Sequence, residues 1–331
     1  MPIFIPFMGC KSRCIYCNQY AISGVTSAND IIASVQAQMA RWRATATRWD
    51  ELAFYGGTFG QLPVALRHKL YELAMPLPIR YSTCPESITP ELAAEMTQNN
   101  VSTVELGVQS LSERVLRLNG RNYSVNDVSQ AFSLIPAGIK KACQLMVGMY
   151  GESQADVALT AAGLAALKPD YIRIYPTLIL KNTELEAYFK DGRFAPLPAS
   201  EILLRAAWLY IHGETSSSRV IRIGLPPEAD DSEMIAGGWW HPACGELVRT
   251  LVIESWLRIN VKPEIDFHPL LYGYKATLKE RFAKLSLREA PAHGIMKPIT
   301  ANLRAHYSAE PAKWFSEQGN IAFAKQLGTL Q

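Results

Sequence analysis

Met8-Gly-Cys-Lys-Ser-Arg-Cys-Ile-Tyr-Cys-Asn18 follows a short apolar run, Ile3-Phe-Ile-Pro6, and sets Cys10, Cys14 and Cys17 in C-x3-C-x2-C spacing. A four-iron cluster held by three thiolates keeps one iron without a protein ligand, and that iron is open to a substrate or cofactor. A closed structural zinc site brings four ligands. No His precedes His68, so a fourth zinc ligand would have to come from far along the chain. A zinc site completed in that way and a set of buried, unligated thiols are the competing readings. Tyr16, directly before the last Cys, suits packing against a flat ring.

Outward from this loop, strand-like and helix-like segments alternate, as in repeated βα units around a parallel sheet. Expected strands are Pro2–Pro6, Glu51–Tyr55, Ile79–Cys84, Thr103–Leu106, Lys140–Met146, Tyr171–Tyr175 and Arg219–Ile223. Helices are expected near Asp30–Thr45, Pro63–Leu73, Pro90–Asn99, Val125–Ile135, Ser153–Leu167 and Ser200–His212. Thr89 before Pro90 reads as a cap followed by a first-turn proline, and Ser124 with Asp127 reads as a capping box. The fold class is α/β: a partial (β/α)6 TIM-like barrel over residues 1–218, then a final strand and a small C-terminal extension over 219–331. Right-handed crossovers gather the strand C-terminal ends at one mouth, where functional groups collect in barrels. Leu225–Trp240 reads as an irregular loop.

The chain has 331 residues, 48% hydrophobic and 19% charged, with a net charge of +3. That composition excludes a disordered chain and favours no class of charged partner. Lys and Arg outnumber Asp and Glu after Gly245, which a solvated surface accounts for. No signal peptide or membrane-spanning run is read. Cys84, Cys143 and Cys244 read as reduced and structural, so the expected compartment is cytoplasmic.

Several strand ends carry groups suited to a ligand. Gly56-Gly57-Thr58-Phe59 follows the second strand, as a tight turn or as backbone open to polar atoms. Glu105-Leu-Gly-Val-Gln-Ser110 presents Gln109 and Ser110 at the fourth, and Val147-Gly-Met-Tyr-Gly151 brings Gly148 to the fifth. Arg173 and Tyr175 share one face of the sixth. A charge on that face needs a partner, either a ligand carboxylate or an acid on a neighbouring strand. Met8, Met146 and Met149 read as core fillers. Arg41, Arg43 and Arg48 with Trp42 and Trp49 read as a basic helix face or an RNA contact. Trp239-Trp-His-Pro-Ala-Cys-Gly-Glu246 reads as a lid on the mouth or a loop packed on the extension.

The Cys triplet with its aromatic resembles the signature of the radical S-adenosylmethionine (radical SAM) enzymes. Glu51-Leu-Ala-Phe-Tyr-Gly-Gly-Thr-Phe-Gly-Gln-Leu-Pro63, Val104-Glu-Leu-Gly-Val-Gln-Ser110 and Arg173-Ile-Tyr-Pro-Thr-Leu178 are similar to the radical-SAM domain of the Elongator catalytic subunit and its relatives. Oxygen-independent coproporphyrinogen oxidases share the layout less closely. The resemblance implies a [4Fe-4S] cluster on Cys10, Cys14 and Cys17 and S-adenosylmethionine (SAM) as cofactor. It implies SAM contacts from Tyr16, Gly56, Gly57, Thr58, Gln109, Ser110, Gly148, Arg173 and Tyr175. For the SAM carboxylate it implies Arg121, with Arg117 as competitor. It also implies an electron-donor protein such as flavodoxin or ferredoxin, and a small-molecule or RNA substrate. Three departures stand out: close spacing of the first two Cys, no acetyltransferase-like segment, and Cys84 where relatives carry Arg before the Pro. Cys84 is expected to be buried, the alternative being a thiol at the mouth. The alternatives to a small-molecule enzyme are an RNA-modifying enzyme and a non-catalytic Fe–S or zinc scaffold.

Overall fold

The computed structural model describes residues 1–5, 10, 13–18, 28–46, 48–215, 217–225, 234–260, 269–279, 296–307 and 310–330. Pro6, Met8 and residues 226–233 lie outside these. The strands are β1 (Pro2–Ile5), β2 (Leu52–Gly56), β3 (Ile79–Thr83), β4 (Val101–Gln109), β5 (Lys140–Val147), β6 (Tyr171–Pro176), β7 (Ile179–Leu180), β8 (Arg219–Ile223) and β9 (Ile235–Gly237). The helices are α1 (Ala28–Thr45), α2 (Val64–Ala74), α3 (Pro90–Gln98), α4 (Glu113–Leu118), α5 (Val125–Leu134), α6 (Gln154–Leu167), α7 (Glu184–Lys190), α8 (Ala199–Gly213), α9 (Cys244–Ile259), α10 (Met296–Tyr307), α11 (Pro311–Ser316) and α12 (Gln318–Gly328).

Seven strands form one parallel sheet in the order β1-β2-β3-β4-β5-β6-β8, curled into a half-barrel. The curl is visible in side chains. In a flat sheet β2 and β6 would lie four strand spacings apart, about 19 Å. Arg173 on β6 nevertheless donates to the Tyr55 hydroxyl on β2 at 3.0 Å. The outer face of the sheet is apolar: Ile3, Leu52, Phe54, Ile79, Tyr81, Val104, Leu106, Cys143, Leu145, Ile172 and Ile174 are buried with the helices. The inner, concave face is polar, which is the alternation expected of strands covered by helices on one side only.

Local signals account for the elements. Thr89 accepts from Leu92 N–H, and Ser124 and Ser153 each form a full capping box with Asp127 and Asp156. The exposed edge of β1 is covered by Gln38 of α1, whose amide accepts from Phe4 N–H at 2.8 Å and donates to Phe4 C=O at 2.7 Å.

Two features differ from expectation. Strand β4 extends to nine residues because both neighbours pair along it. The stretch read as irregular contains β9, which pairs antiparallel with β7 because both lie over the strand ends of β6. Strand β8 closes the sheet beside β6, and α9 to α12 follow it and pack on α8. Trp314 of α11 is fully buried there and donates from its indole to Leu204 C=O at 3.1 Å.

Candidate functional site: a cysteine nest at the barrel mouth

The loop carrying the cysteines is clamped from two sides. On one side it lies against the α4–α5 turn, where Ile15 N–H donates to Asn119 C=O at 3.3 Å. Gly120 makes this contact possible: its φ is +70°, and a Cβ there would lie 2.5 Å from Arg13 O. On the other side, Leu185 N–H donates to Ile15 C=O at 2.8 Å and Asn18 donates to Lys181 C=O at 2.6 Å. Ile15 is buried in a small apolar cluster with Ile179, Leu185 and Phe194, and Tyr16, Tyr150 and Tyr188 pack on it. The mouth therefore has its own minor core, separate from the core beneath the helices.

The three thiols converge at the C-terminal ends of β2 and β4. Cys10 Sγ is 2.8 Å from the hydroxyl of Thr58, a buried residue just past β2. Cys14 Sγ accepts from the Arg121 guanidinium at 2.9 Å. Burial pushes the Cys17 thiol up to about 12, and the neighbouring Cys14 and Cys10 add to the shift while Arg121 opposes it. Burial likewise raises Cys10. Bound iron reverses that sign, because a thiol that coordinates a metal ion is held deprotonated. Among the described residues, no three His, Cys, Asp or Glu side chains close around a single metal ion. A cluster makes a different demand, since each thiolate binds its own iron. Three half-buried thiols with a hydroxyl and a guanidinium donor beside two of them fit such a cluster.

The backbone around the nest is open where the sequence suggested. Gly56 is exposed at the end of β2 with φ +115°, and a Cβ there would fall 2.3 Å from Ile5 O. Gly57 and Thr58 follow it into the turn, held from beneath by Phe59 stacked on Phe54 and Tyr81. A register shift between Gly107 and Gln109 turns Gln109 to φ +62°, and its amide lies back over Gly107. Tyr16 is half-buried, with its hydroxyl buried near Cys14 and Arg121. Cys84 is buried, and burial raises its thiol to about 12.

Other expected site residues are engaged elsewhere. Ser110 is buried against α6: its hydroxyl lies 3.2 Å from that of Thr160 and accepts from Ser112 N–H. Gly148 is buried beneath α8, and its N–H donates to Glu152 at 2.9 Å. Glu152 is in turn paired with Arg205 at 2.8 Å. Arg121 has all three donor nitrogens taken: by Cys14, by Gly107 C=O at 2.7 Å and by the Tyr123 hydroxyl at 2.9 Å. Arg173 pairs with the carboxylate of Glu105, two strands away on β4, its Nε 2.9 Å from Oε2. Of the two partners weighed for Arg173, the protein supplies the internal one. Tyr175 lies half-buried on the same face, one pleat nearer the mouth.

Glu105 is the group that sequence reasoning passed over. It is 0% exposed on the concave face and sits between Arg80 at 3.0 Å and Arg173, with Gln144 donating at 3.0 Å. Arg80 also holds Glu51 at 2.7 Å. The signal was present in the sequence: a lone carboxylate inside the apolar strand Val101–Gln109 requires a buried cation. This network spans β2 to β6 and forms a floor beneath the mouth.

Trp239 and Trp240 line a cleft with Pro176 and Leu178 at the strand ends. His241 and Cys244 line the same cleft and are themselves buried, His241 against Tyr274 and Cys244 under Gly224.

A parallel half-barrel with three cysteines gathered at its C-terminal mouth places the chain with the α/β barrels whose sites lie at that face. Residues 4–162 match the radical SAM superfamily, and residues 169–253 match the radical SAM C-terminal domain. The chain belongs to the radical SAM superfamily of enzymes. It is 35% identical over 107 residues to the tRNA uridine(34) acetyltransferase of Dehalococcoides mccartyi, covering 31% of this chain and 23% of that protein. It is 26% identical over 157 residues to Elongator complex protein 3 of Bos taurus, covering 46% and 28%. The chain thus matches less than a third of the length of either relative. Elp3 of the archaeon Methanocaldococcus infernus, lacking its N-terminus, shares the fold with a TM-score of 0.56 at 23% identity, over 71% of this chain and 61% of that one. No helix among the described residues is long and apolar enough to cross a membrane.

Proposed function

We propose that Cys10, Cys14 and Cys17 hold a [4Fe-4S] cluster and that the chain reductively cleaves SAM to act on a C–H bond of a separate substrate. The observation that carries this reading is the grouping of three half-buried thiols beside the exposed Gly56 backbone. When bound, the cluster and SAM supply a 5′-deoxyadenosyl radical that abstracts hydrogen. The protein's part is placement. Thr58 and Arg121 orient Cys10 and Cys14, while Gly56 and Gly57 offer backbone polar groups to the cofactor's amino group. Tyr16 offers a ring edge, and Gln109 and Tyr175 offer polar atoms nearby. The Glu105 floor and the β7–β9 ribbon keep water from the space between. An electron-donor protein of the flavodoxin or ferredoxin kind supplies the electron.

The test is anaerobic reconstitution with iron and sulfide. About four irons per chain, with 5′-deoxyadenosine formed from SAM under reduction, supports the reading. Stoichiometric zinc without SAM binding sinks it and leaves the scaffold reading. An RNA substrate is the second reading, favoured by the tRNA-acting relative. It requires salt-sensitive tRNA binding that stimulates SAM cleavage.

A further inference from the structure

We propose that Arg222 forms an anion-binding site on the concave face, taking the carboxylate or phosphate of a small-molecule substrate; its role in turnover rests on the radical SAM reading, its existence does not. Strand β8 pairs with β6 so that Arg222 lies opposite Arg173, on the rung shared with Gln144 and Gly107. Two other arginines of the concave face, Arg80 and Arg173, are matched. Arg80 lies between Glu51 and Glu105, and Arg173 is on Glu105. Arg222 is half-buried on the same face and has no hydrogen-bond or ion-pair partner among the described residues. Among the described residues, two carboxylates thus answer two guanidinium groups, and a third guanidinium on the concave face has none.

A guanidinium presents only donors, in a fork that matches carboxylate and phosphate. Tyr175, one pleat nearer the mouth on β6, adds a hydroxyl close enough for Arg222 to act on it electrostatically. The position is chemically sensible. Arg222 lies three strands from Gly107, about 14 Å along the sheet, while the thiols sit at the ends of β2 and β4. An anion fixed at Arg222 directs the rest of a small molecule across the Glu105 floor toward the cysteine nest. The site lies below the strand ends, where a terminal charged group reaches and a duplex backbone does not.

Arginine modification by phenylglyoxal tests this on the chain as isolated, without cluster or SAM, so its failure is separate from that of the cluster experiment. Mass mapping is expected to show Arg222 reacting severalfold faster than Arg80 and Arg173, and inorganic phosphate or acetate is expected to slow it severalfold. Protection by phosphate alone assigns a phosphate ligand; equal protection by acetate assigns a carboxylate. An unreactive Arg222, or one protected no better than by sodium chloride of equal ionic strength, overturns the site. Stronger protection by a single-stranded oligonucleotide than by phosphate overturns the small-molecule assignment in favour of RNA. Arg222→Gln is expected to keep the parent's urea midpoint and lose any phosphate-dependent rise in Tm. A retained rise overturns the proposal.

Discussion

Replacing Arg121 with Met separates two roles for the most heavily bonded cation of the site. Its guanidinium donates to Cys14 Sγ at 2.9 Å, Gly107 C=O at 2.7 Å and the Tyr123 hydroxyl at 2.9 Å. It also lies 4.6 Å from the centre of the Tyr123 ring. Met keeps the aliphatic stem and removes the charge. Gly107 C=O stays satisfied, because the Tyr123 hydroxyl donates to it at 2.7 Å. What is lost is the bond to Cys14 and the one to Tyr123. Hydrogen bonds to a charged group contribute about 1.5–3 kcal/mol each, and relief of burying the cation offsets part of this. The expected net loss is about 1–3 kcal/mol, read by urea denaturation. The loop itself should persist, because Ile15 and Leu185 still clamp it, so iron uptake should be nearly unchanged. The reduced cluster should lose stability relative to the oxidised one, since a cation and a donor have left a ligand sulfur. The potential, read by EPR-monitored titration, should fall, and Arg121→Lys should fall less. An unchanged potential with SAM binding weakened more than about tenfold would refute this reasoning and return Arg121 to the SAM carboxylate.

Three further outcomes are expected. Gly56→Ala should lose SAM binding and cost about 2–4 kcal/mol, because φ is +115° and the new Cβ meets Ile5 O at 2.3 Å; parent-like calorimetry and SAM affinity would contradict it. Glu105→Gln should destabilise the fold by about 3–5 kcal/mol, since it leaves Arg80 and Arg173 without their shared carboxylate; a loss below about 1 kcal/mol in urea would show that the floor is not held by charge. His212, packed at 4.2 Å on Trp208 with Nδ1 2.9 Å from its carbonyl, is lowered by burial to about 4. A depressed folded value means that its contribution is complete above the ordinary value of 6.5 and is lost as pH falls toward about 4. His212→Phe should therefore flatten the acid limb of a Tm-versus-pH curve by about 2 kcal/mol; an unchanged limb would be the contrary result.

Much of this molecule was legible without coordinates. The C-x3-C-x2-C spacing, the strand periodicity and the capping residues Thr89 and Ser124 act over a few neighbouring residues, so each is written locally and survives folding. The family likeness, the parallel half-barrel and the seventh strand at Arg219–Ile223 all followed from such patterns. What local pattern could not assign was pairing. Arg173 and Tyr175 were visible as groups on one face, but their partners sit on strands more than twenty-five residues away. Ser110 and Gly148 stand next to suggestive neighbours, and a single turn of backbone sends them under α6 and α8 instead of into the mouth. Only closure of the sheet brings Tyr55 to Arg173 and leaves Glu105 between two arginines. Chemistry confined to one loop can be read from the order of residues; chemistry made by opposing walls depends on how far the sheet curls, which long-range packing decides.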